Sequence, residues 1–551
     1  MENRNNWIIS ILSQLGLIAA AAVIFAGSFP NLLFKDGLPF LAWFAYIPIL
    51  LVIHRSNFLA CIAWGAIYGF ASYGLFNYWL GAFHPMAGTI VYSIYMVYLI
   101  VVFLFLKLAD FLYPRHSYIV QWTVWLAFEF LCTRGFLGYS YGITGYSQWR
   151  VIPLIQIASV TGVWGVSALV TFPSFWLAQA LRDWRLAEGI RGIGRAILEF
   201  FRKEKIPALL WTAALVSSLV FGIVSNRDFS TFPSAQIALI QHNTDPWQAN
   251  KAPTKWQINE AYRKDLEILK RLSDEALASQ PKPQMVVWPE TAFVPTIHWH
   301  FTYRDDQDLW ILVRELLDYF STRDVPFLIG NDDARMEPVK NPDPYTKFRV
   351  DYNASLLVEN GEIAKIYRKL HLVPFTEHFP YEKQLPLIYN ALIKADTHFW
   401  ENGEEETVFQ GPGFTFSTPI CFEDTFGYLS RNFVRQGADV LVNISNDAWS
   451  KSLPAQNQHL SMAVFRAVEN YRPMVRSTAS GQTCAIDPRG RVIAMAAPFA
   501  EVWLNVTVPL VTGNTIYTRY GDYLALAFTF AAVILLLSAA AWYTIRRGLK
   551  R

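Results

Sequence analysis

Cysteine is scarce in this chain: 4 in 551 residues, at Cys61, Cys132, Cys421 and Cys484, with no CxxC spacing among them. That scarcity gives no disulfide framework and excludes a zinc knuckle. Net charge is scarce too. The 47 Lys and Arg against 44 Asp and Glu leave a formal +3, with no basic stripe in the polar part of the chain, so no nucleic-acid partner is expected. His298 and His300 have no third ligand motif near them and read as surface or loop residues, so no metal and no cofactor is implied. Residues 232–510 lack any long apolar run. The remainder of the chain is built from such runs.

Hydrophobic residues make up 53% of the chain and aromatics 16%. The apolar runs are 7–28, 38–53, 58–80, 87–106, 118–136, 152–181, 206–224 and, last, 521–542. Most reach the roughly 20 residues that cross a hydrocarbon core, although 38–53 is short and 152–181 long. The first run follows only Arg4 as a basic residue and has no clear A-x-A cleavage site, so it reads as a retained helix. The expected fold class is therefore a polytopic α-helical membrane domain of about eight transmembrane helices joined to an α/β domain. Residues 1–226 would supply seven helices, 232–510 the catalytic domain, and 521–542 the final helix.

Charge sets an expected orientation. With a cytoplasmic N-terminus, the cytoplasmic segments hold Arg4, Arg55, Lys107 with Arg115, the basic 182–205 stretch and the tail with Arg546, Arg547, Lys550 and Arg551. That is the positive-inside pattern, and it sends 232–510 to the other side. The 182–205 stretch reads as a solvated amphipathic connector; a lipid-headgroup surface is the alternative, but orientation alone accounts for its charge. Glu129 sits inside an apolar run near Arg134. An intramembrane acid is a functional candidate, but that closeness favours a structural ion pair.

Within 232–510, short apolar strings at 236–240, 285–288, 326–330, 354–358 and 439–443 suit strands covered on both faces. Helical spacing runs through 256–277, 308–320 and 458–471. Alternation of the two describes a layered α/β domain. Glu290 directly follows one string, and Cys421 falls between Phe414–Ile420 and a helical pattern at Thr425–Arg435. Both are at strand ends, where such folds place sites. A thiol at a strand-to-helix junction is also expected to be drawn toward thiolate. Three segments then offer acyl-transfer chemistry. Cys421 is a nucleophile; Glu290, in Trp288-Pro289-Glu290, is a base; Lys369, in Tyr367-Arg368-Lys369, is an oxyanion stabiliser. Taken singly, each such residue is more often an inert thiol or a solvated charge.

The order of the three segments, with His371-Leu372-Val373-Pro374-Phe375 and Glu377 between the last two, resembles the nitrilase superfamily. That resemblance implies an αββα sandwich and a Glu–Lys–Cys catalytic set. Within the superfamily the chain resembles the apolipoprotein N-acyltransferase family over nearly its whole length. The segments that carry this are Asn443–Trp449, Gln458-His459, Arg472-Pro473, Asp487–Gly490, Gly145–Gln148 and 153–167. It implies that Glu290, Lys369 and Cys421 are catalytic, that Glu377, Glu423 and Asn353 support them, and that Trp247 and Phe422 line the acyl site. It also implies a phospholipid acyl donor, a diacylglyceryl apolipoprotein acceptor, surrounding membrane lipids and a bacterial inner membrane with the catalytic domain periplasmic. Phe422 and Ser450 stand where the family pattern leads one to expect Tyr and an aromatic, and 451–457 is atypical. Two rivals are a membrane-tethered amidase using the same triad and a non-enzymatic lipoprotein-binding component. The amidase gives no reason for eight helices, and the intact triad argues against the second.

Overall fold

The computed structural model describes residues 2–83, 85–184, 189–244, 254–338, 347–394 and 398–548. The chain divides into two compact units. One comprises Met1–Asn226, Ser452–Ser461 and Tyr520–Arg551; the other comprises Arg227–Lys451 and Met462–Arg519.

In the first unit, six helices among the described residues are long and apolar enough to cross a membrane: Ile8–Ser28, Phe58–Phe76, Ala87–Leu112, Val163–Ala180, Lys205–Val224 and Tyr523–Ile545. Three other apolar runs take different forms. The 38–53 run splits into a 3-10 turn, Pro39–Trp43, and a helix, Ile47–Arg55, each with a proline in its first turn, where the missing N–H costs nothing. The 118–136 run forms a helix of only 15 residues, Ser117–Leu131, most of them buried. The 152–181 run breaks at Gly162, whose φ of 66° ends one helical turn and opens Val163–Ala180, a conformation only glycine adopts freely. Helix Phe58–Phe76 approaches its neighbour through Gly65 and Gly69; a Cβ on them would meet Leu99 O at 2.7 Å and Tyr95 O at 2.5 Å. Small residues four apart are how lipid-embedded helices pack closely without a hydrophobic driving force.

The Ser452–Ser461 segment belongs to this unit through Gln458. Its Oε1 accepts from Trp79 Nε1 at 3.0 Å, and its Nε2 donates to Pro30 O at 2.9 Å and Phe76 O at 3.1 Å. The expected Glu129–Arg134 pair gives way to other partners. Arg134 stacks on Phe130 and donates to Asp522. Trp164 Nε1 donates to the second Asp522 oxygen at 2.8 Å, so Asp522 draws Arg134 to the start of the last helix. Glu129 accepts from Trp125 Nε1 at 3.1 Å, Thr144 N at 3.2 Å and the Thr144 hydroxyl. It fastens the buried 3-10 turn Thr144–Gln148 to its own helix.

Among its described residues the second unit holds twelve strands: β1 Ser234–Gln241, β2 Met285–Val287, β3 Phe327–Pro338, β4 Lys347–Glu359, β5 Glu362–Arg368, β6 Phe409–Gln410, β7 Thr415–Ser417, β8 Val440–Ser445, β9 Met474–Thr478, β10 Cys484–Ile486, β11 Val492–Met495 and β12 Val502–Pro509. They form two six-stranded sheets, ordered β12-β1-β2-β3-β4-β5 and β11-β10-β9-β8-β7-β6. Ser477 on β9 joins them, donating to Ile240 O at 2.8 Å and Val287 O at 3.1 Å. Helices Lys255–Leu277 and Gln307–Ser321 cover the first sheet. Each starts where a side chain accepts otherwise unpaired backbone N–H groups: Thr254 from Gln257, Asp306 from Asp308 and Leu309. Leu266, Leu269, Leu312, Leu316 and Phe320 bury their apolar stripes on Trp288, Phe327 and Leu356. Gly427–Arg435 and the next helix, whose Met462–Asn470 part lies in this unit, are the crossovers that join the parallel strands β7, β8 and β9 of the second sheet. This is the αββα sandwich.

Candidate functional site

Glu290, Lys369 and Glu377 come together in the second unit, all from segments just past strands. Glu290 lies beyond the end of β2, and its backbone presses on β3: a Cβ on Gly330 would meet Glu290 Cα at 2.5 Å and Pro289 O at 2.5 Å. Lys369 follows β5 and is wholly buried, with its backbone N–H bonded to Asn353 O at 2.8 Å. Its ammonium lies 3.2 Å from Glu290 Oε1 and 2.9 Å from Glu377 Oε1. Burial opposes that charge, but the two carboxylates outweigh it and hold the ammonium well above the ordinary lysine range. Asn353 on β4 donates to Glu290 Oε1 at 2.8 Å, and the Asn446 backbone N–H donates to Glu290 Oε2 at 3.0 Å. Glu377 Oε2 accepts from Val373 N at 2.8 Å. Every carboxylate oxygen of this trio therefore has a donor, which is what keeps such a cluster from being prohibitively costly.

Cys421 opens a 3-10 turn, Cys421–Thr425, and has φ 49°, in the left-handed region. A side-chain-bearing residue held there marks strain that its surroundings must enforce. Ile420 pairs with Ile444 beside β8, and Asn443 Nδ2 donates to Pro419 O at 2.9 Å and to Cys421 O at 3.3 Å. The expected drift toward thiolate is not what the site produces. Burial and the Glu290 charge push the Cys421 thiol up, against the opposing pull of Lys369. A short 3-10 turn with its own acids, Glu423 and Asp424, offers little positive dipole to offset this. The thiol rests protonated and needs a base to become a nucleophile.

Glu423, expected as a supporting residue, is a hinge between two loops. Oε1 accepts from Leu370 N at 2.7 Å and His371 N at 3.0 Å; Oε2 accepts from Ile420 N at 2.8 Å; Tyr367 OH reaches both at 2.9 Å. It thus binds the Lys369 loop to the Cys421 turn. Burial pushes its carboxyl up to about 7, although the donors pull it down. His371, packed on Phe426 with centroids 3.9 Å apart and the rings tilted by 38°, is held down to about 4 by burial and the Lys369 charge. Phe422 is buried against Phe426 and His371, at 5.0 and 6.0 Å. Trp247 lies outside the described residues. His300, expected at the surface, is buried on helix Ile297–Tyr303 and bonded to Asp305 at 3.1 Å.

Some contributors had no assigned role from sequence. The Asn446 N–H is a backbone donor and leaves no side-chain signal. Arg476 on β9 forms a fully buried ion pair with Asp424 and lies 3.7 Å from Asp447. An arginine inside the buried string Met474–Thr478 is the signal that was there to be read.

Comparisons with known proteins agree with this fold. The profile described as "Carbon-nitrogen hydrolase" matches residues 236–516, and that described as "Apolipoprotein N-acyltransferase N-terminal domain" matches 21–176. The chain is 42% identical to apolipoprotein N-acyltransferase 1 of Treponema denticola, covering 96% of this chain and 97% of the relative. It is 44% identical to apolipoprotein N-acyltransferase 1 of Treponema pallidum, covering 98% of each. It is 30% identical to the apolipoprotein N-acyltransferase of Geobacter metallireducens, covering 96% and 94%.

Proposed function

The chain belongs to the apolipoprotein N-acyltransferase family, and on that premise we propose that it moves a fatty acyl chain from a phospholipid to the N-terminal α-amine of a diacylglyceryl-cysteine apolipoprotein. The reaction runs in two halves through a thioester on Cys421. The observation that carries this reading is the buried ammonium of Lys369 between Glu290 and Glu377, charge-coupled to a thiol that is protonated at rest.

In the first half, Glu290 takes the Cys421 proton as sulfur attacks the ester carbonyl. Electrons move to the carbonyl oxygen, and the Lys369 ammonium stabilises the oxyanion. Collapse breaks the ester C–O bond, and the departing lysophospholipid oxygen receives the proton from Glu290. In the second half the acceptor amine attacks the thioester, Glu290 takes the amine proton, and the thiolate leaves and is reprotonated. Glu377 keeps Lys369 charged and aimed, Asn353 and the Asn446 N–H fix Glu290, and Phe422 and Trp247 flank the acyl chain. Exclusion of water spares the thioester.

Lipid-anchored donor and acceptor suit a polytopic protein of a bacterial inner membrane. The basic 182–205 stretch supports a periplasmic catalytic unit. The test is the intact mass of the purified protein after incubation with phospholipid. A fatty acyl mass is expected on the wild type and not on Cys421→Ser. No adduct on the wild type, or an adduct that passes to water but never to a peptide amine, would overturn the reading.

A further inference from the structure

Helix Gly189–Lys203 is used by nothing so far described. It joins the end of Val163–Ala180 to the start of Lys205–Val224, two helices apolar and long enough to span. If those helices span, this one lies at their common membrane boundary. None of its residues is buried. At 100° per residue, Ile190, Ile193, Ile197, Phe200 and Phe201 share one face, and Arg191, Arg195 and Arg202 share the opposite one. Glu199 is its only acid.

The helix is seated rather than free. Phe200 packs on Trp176 and Tyr118, with centroids 5.1 and 5.8 Å apart. Toward the other end its apolar face is uncovered: Ile190 is 87% exposed. Neighbouring chain ends are cationic as well. Arg182 pairs with Asp110 at 3.0 Å, and Arg115, largely exposed, lies 3.4 Å from Glu204. An apolar face open beside a spanning bundle, backed by a row of guanidinium groups, matches one environment: acyl chains below and phosphates alongside.

We propose that helix Gly189–Lys203 lies in the membrane interface and binds the headgroups of anionic phospholipids through Arg191, Arg195 and Arg202. It rests on the reading of Val163–Ala180 and Lys205–Val224 as membrane spans and is independent of the acyl-transfer reading. Guanidinium groups bond phosphate oxygens in pairs, and the apolar face holds them at headgroup depth. This surface would anchor the unit on the leaflet where those two helices meet.

The experiment uses the full chain in bilayer nanodiscs of equal parts phosphatidylcholine and phosphatidylglycerol, with retained lipids counted by native mass spectrometry. The wild type is expected to keep phosphatidylglycerol in excess, and added salt to reduce that excess. In R191Q/R195Q/R202Q the ratio should fall by at least about five-fold, the factor one basic residue contributes at an anionic surface. R191K/R195K/R202K, which keeps the charges, should retain most of the preference. An unchanged ratio in the glutamine variant, or no excess in the wild type, overturns the proposal. So does a self-association peak that the glutamine variant loses without any change in lipid ratio. The Cys421 acyl adduct should form in all three proteins, so its loss would report on the acyl-transfer reading instead.

Discussion

Two carboxyl groups, one in each unit, are buried to nearly the same degree and used in opposite ways. Glu290 faces an ammonium at 3.2 Å and takes further donors on both oxygens. Glu129 takes its hydrogen bonds from a Trp indole and from the N–H and hydroxyl of Thr144. In the proposed reaction the acid that faces a cation is the proton acceptor. Neutral donors instead make the carboxyl a clamp on a turn. Burial alone does not mark a catalytic acid; the facing group does.

Glutamine at each position tests that distinction most sharply. Glu290→Gln keeps the shape and one acceptor but cannot take a proton, so adduct formation on Cys421 should fall by about 10²–10⁴, read by time-resolved intact mass. Equal loss in Glu129→Gln would erase the contrast. Lys369→Met should slow the same step by about 10²–10³. It should also cost about 3–5 kcal/mol, because Glu290 and Glu377 are left buried without their counter-charge; a thermal midpoint in detergent reads this.

A pH experiment separates two neighbours in the second unit. His371 is neutral in the fold down to about 4 against an ordinary 6.5, so its contribution is lost as pH falls through that window. Glu423 keeps its proton up to about 7 against 4.5, so its contribution is lost as pH rises. The two contributions run in opposite directions over the same window. Relative to the wild type, His371→Gln should lose a contribution of roughly 3 kcal/mol that builds from acid to neutral pH; a variant profile parallel to that of the wild type would refute the assignment. The smallest effect belongs to Glu129→Ala. Leaving the Trp125 and Thr144 donors unpaired should cost about 1–3 kcal/mol, while the adduct forms at the wild-type rate.

The proposed catalytic residues Glu290, Lys369 and Cys421 stood out in the sequence because three distinctive strings follow one another in a set order, and each places its residue just past a strand. The supporting shell was only half legible. Glu377 and Asn353 came with the motif, but the role of Glu423 did not, because its partners are mostly backbone N–H groups. Apolar length alone does not locate helix ends: Gly162 divides the long 152–181 run, and the short 38–53 run is two elements, each with a proline in its first turn. Residues 452–461 read as part of the catalytic domain, yet Gln458 holds them to the helices of the first unit through three hydrogen bonds. Hydropathy cannot show a polar side chain that docks on backbone carbonyls.

Gly330 carries no chemistry, yet its bare backbone leaves no space between β3 and the Pro289–Thr291 backbone that carries Glu290. Any side chain there must displace the backbone of Pro289 and Glu290 together. The position is therefore a bottleneck for drift. A saturation library scored on acyl adduct should find 330 closed to every side chain, while its apolar neighbours Leu328 and Ile329, fully buried on the same strand, still accept apolar exchanges of similar volume.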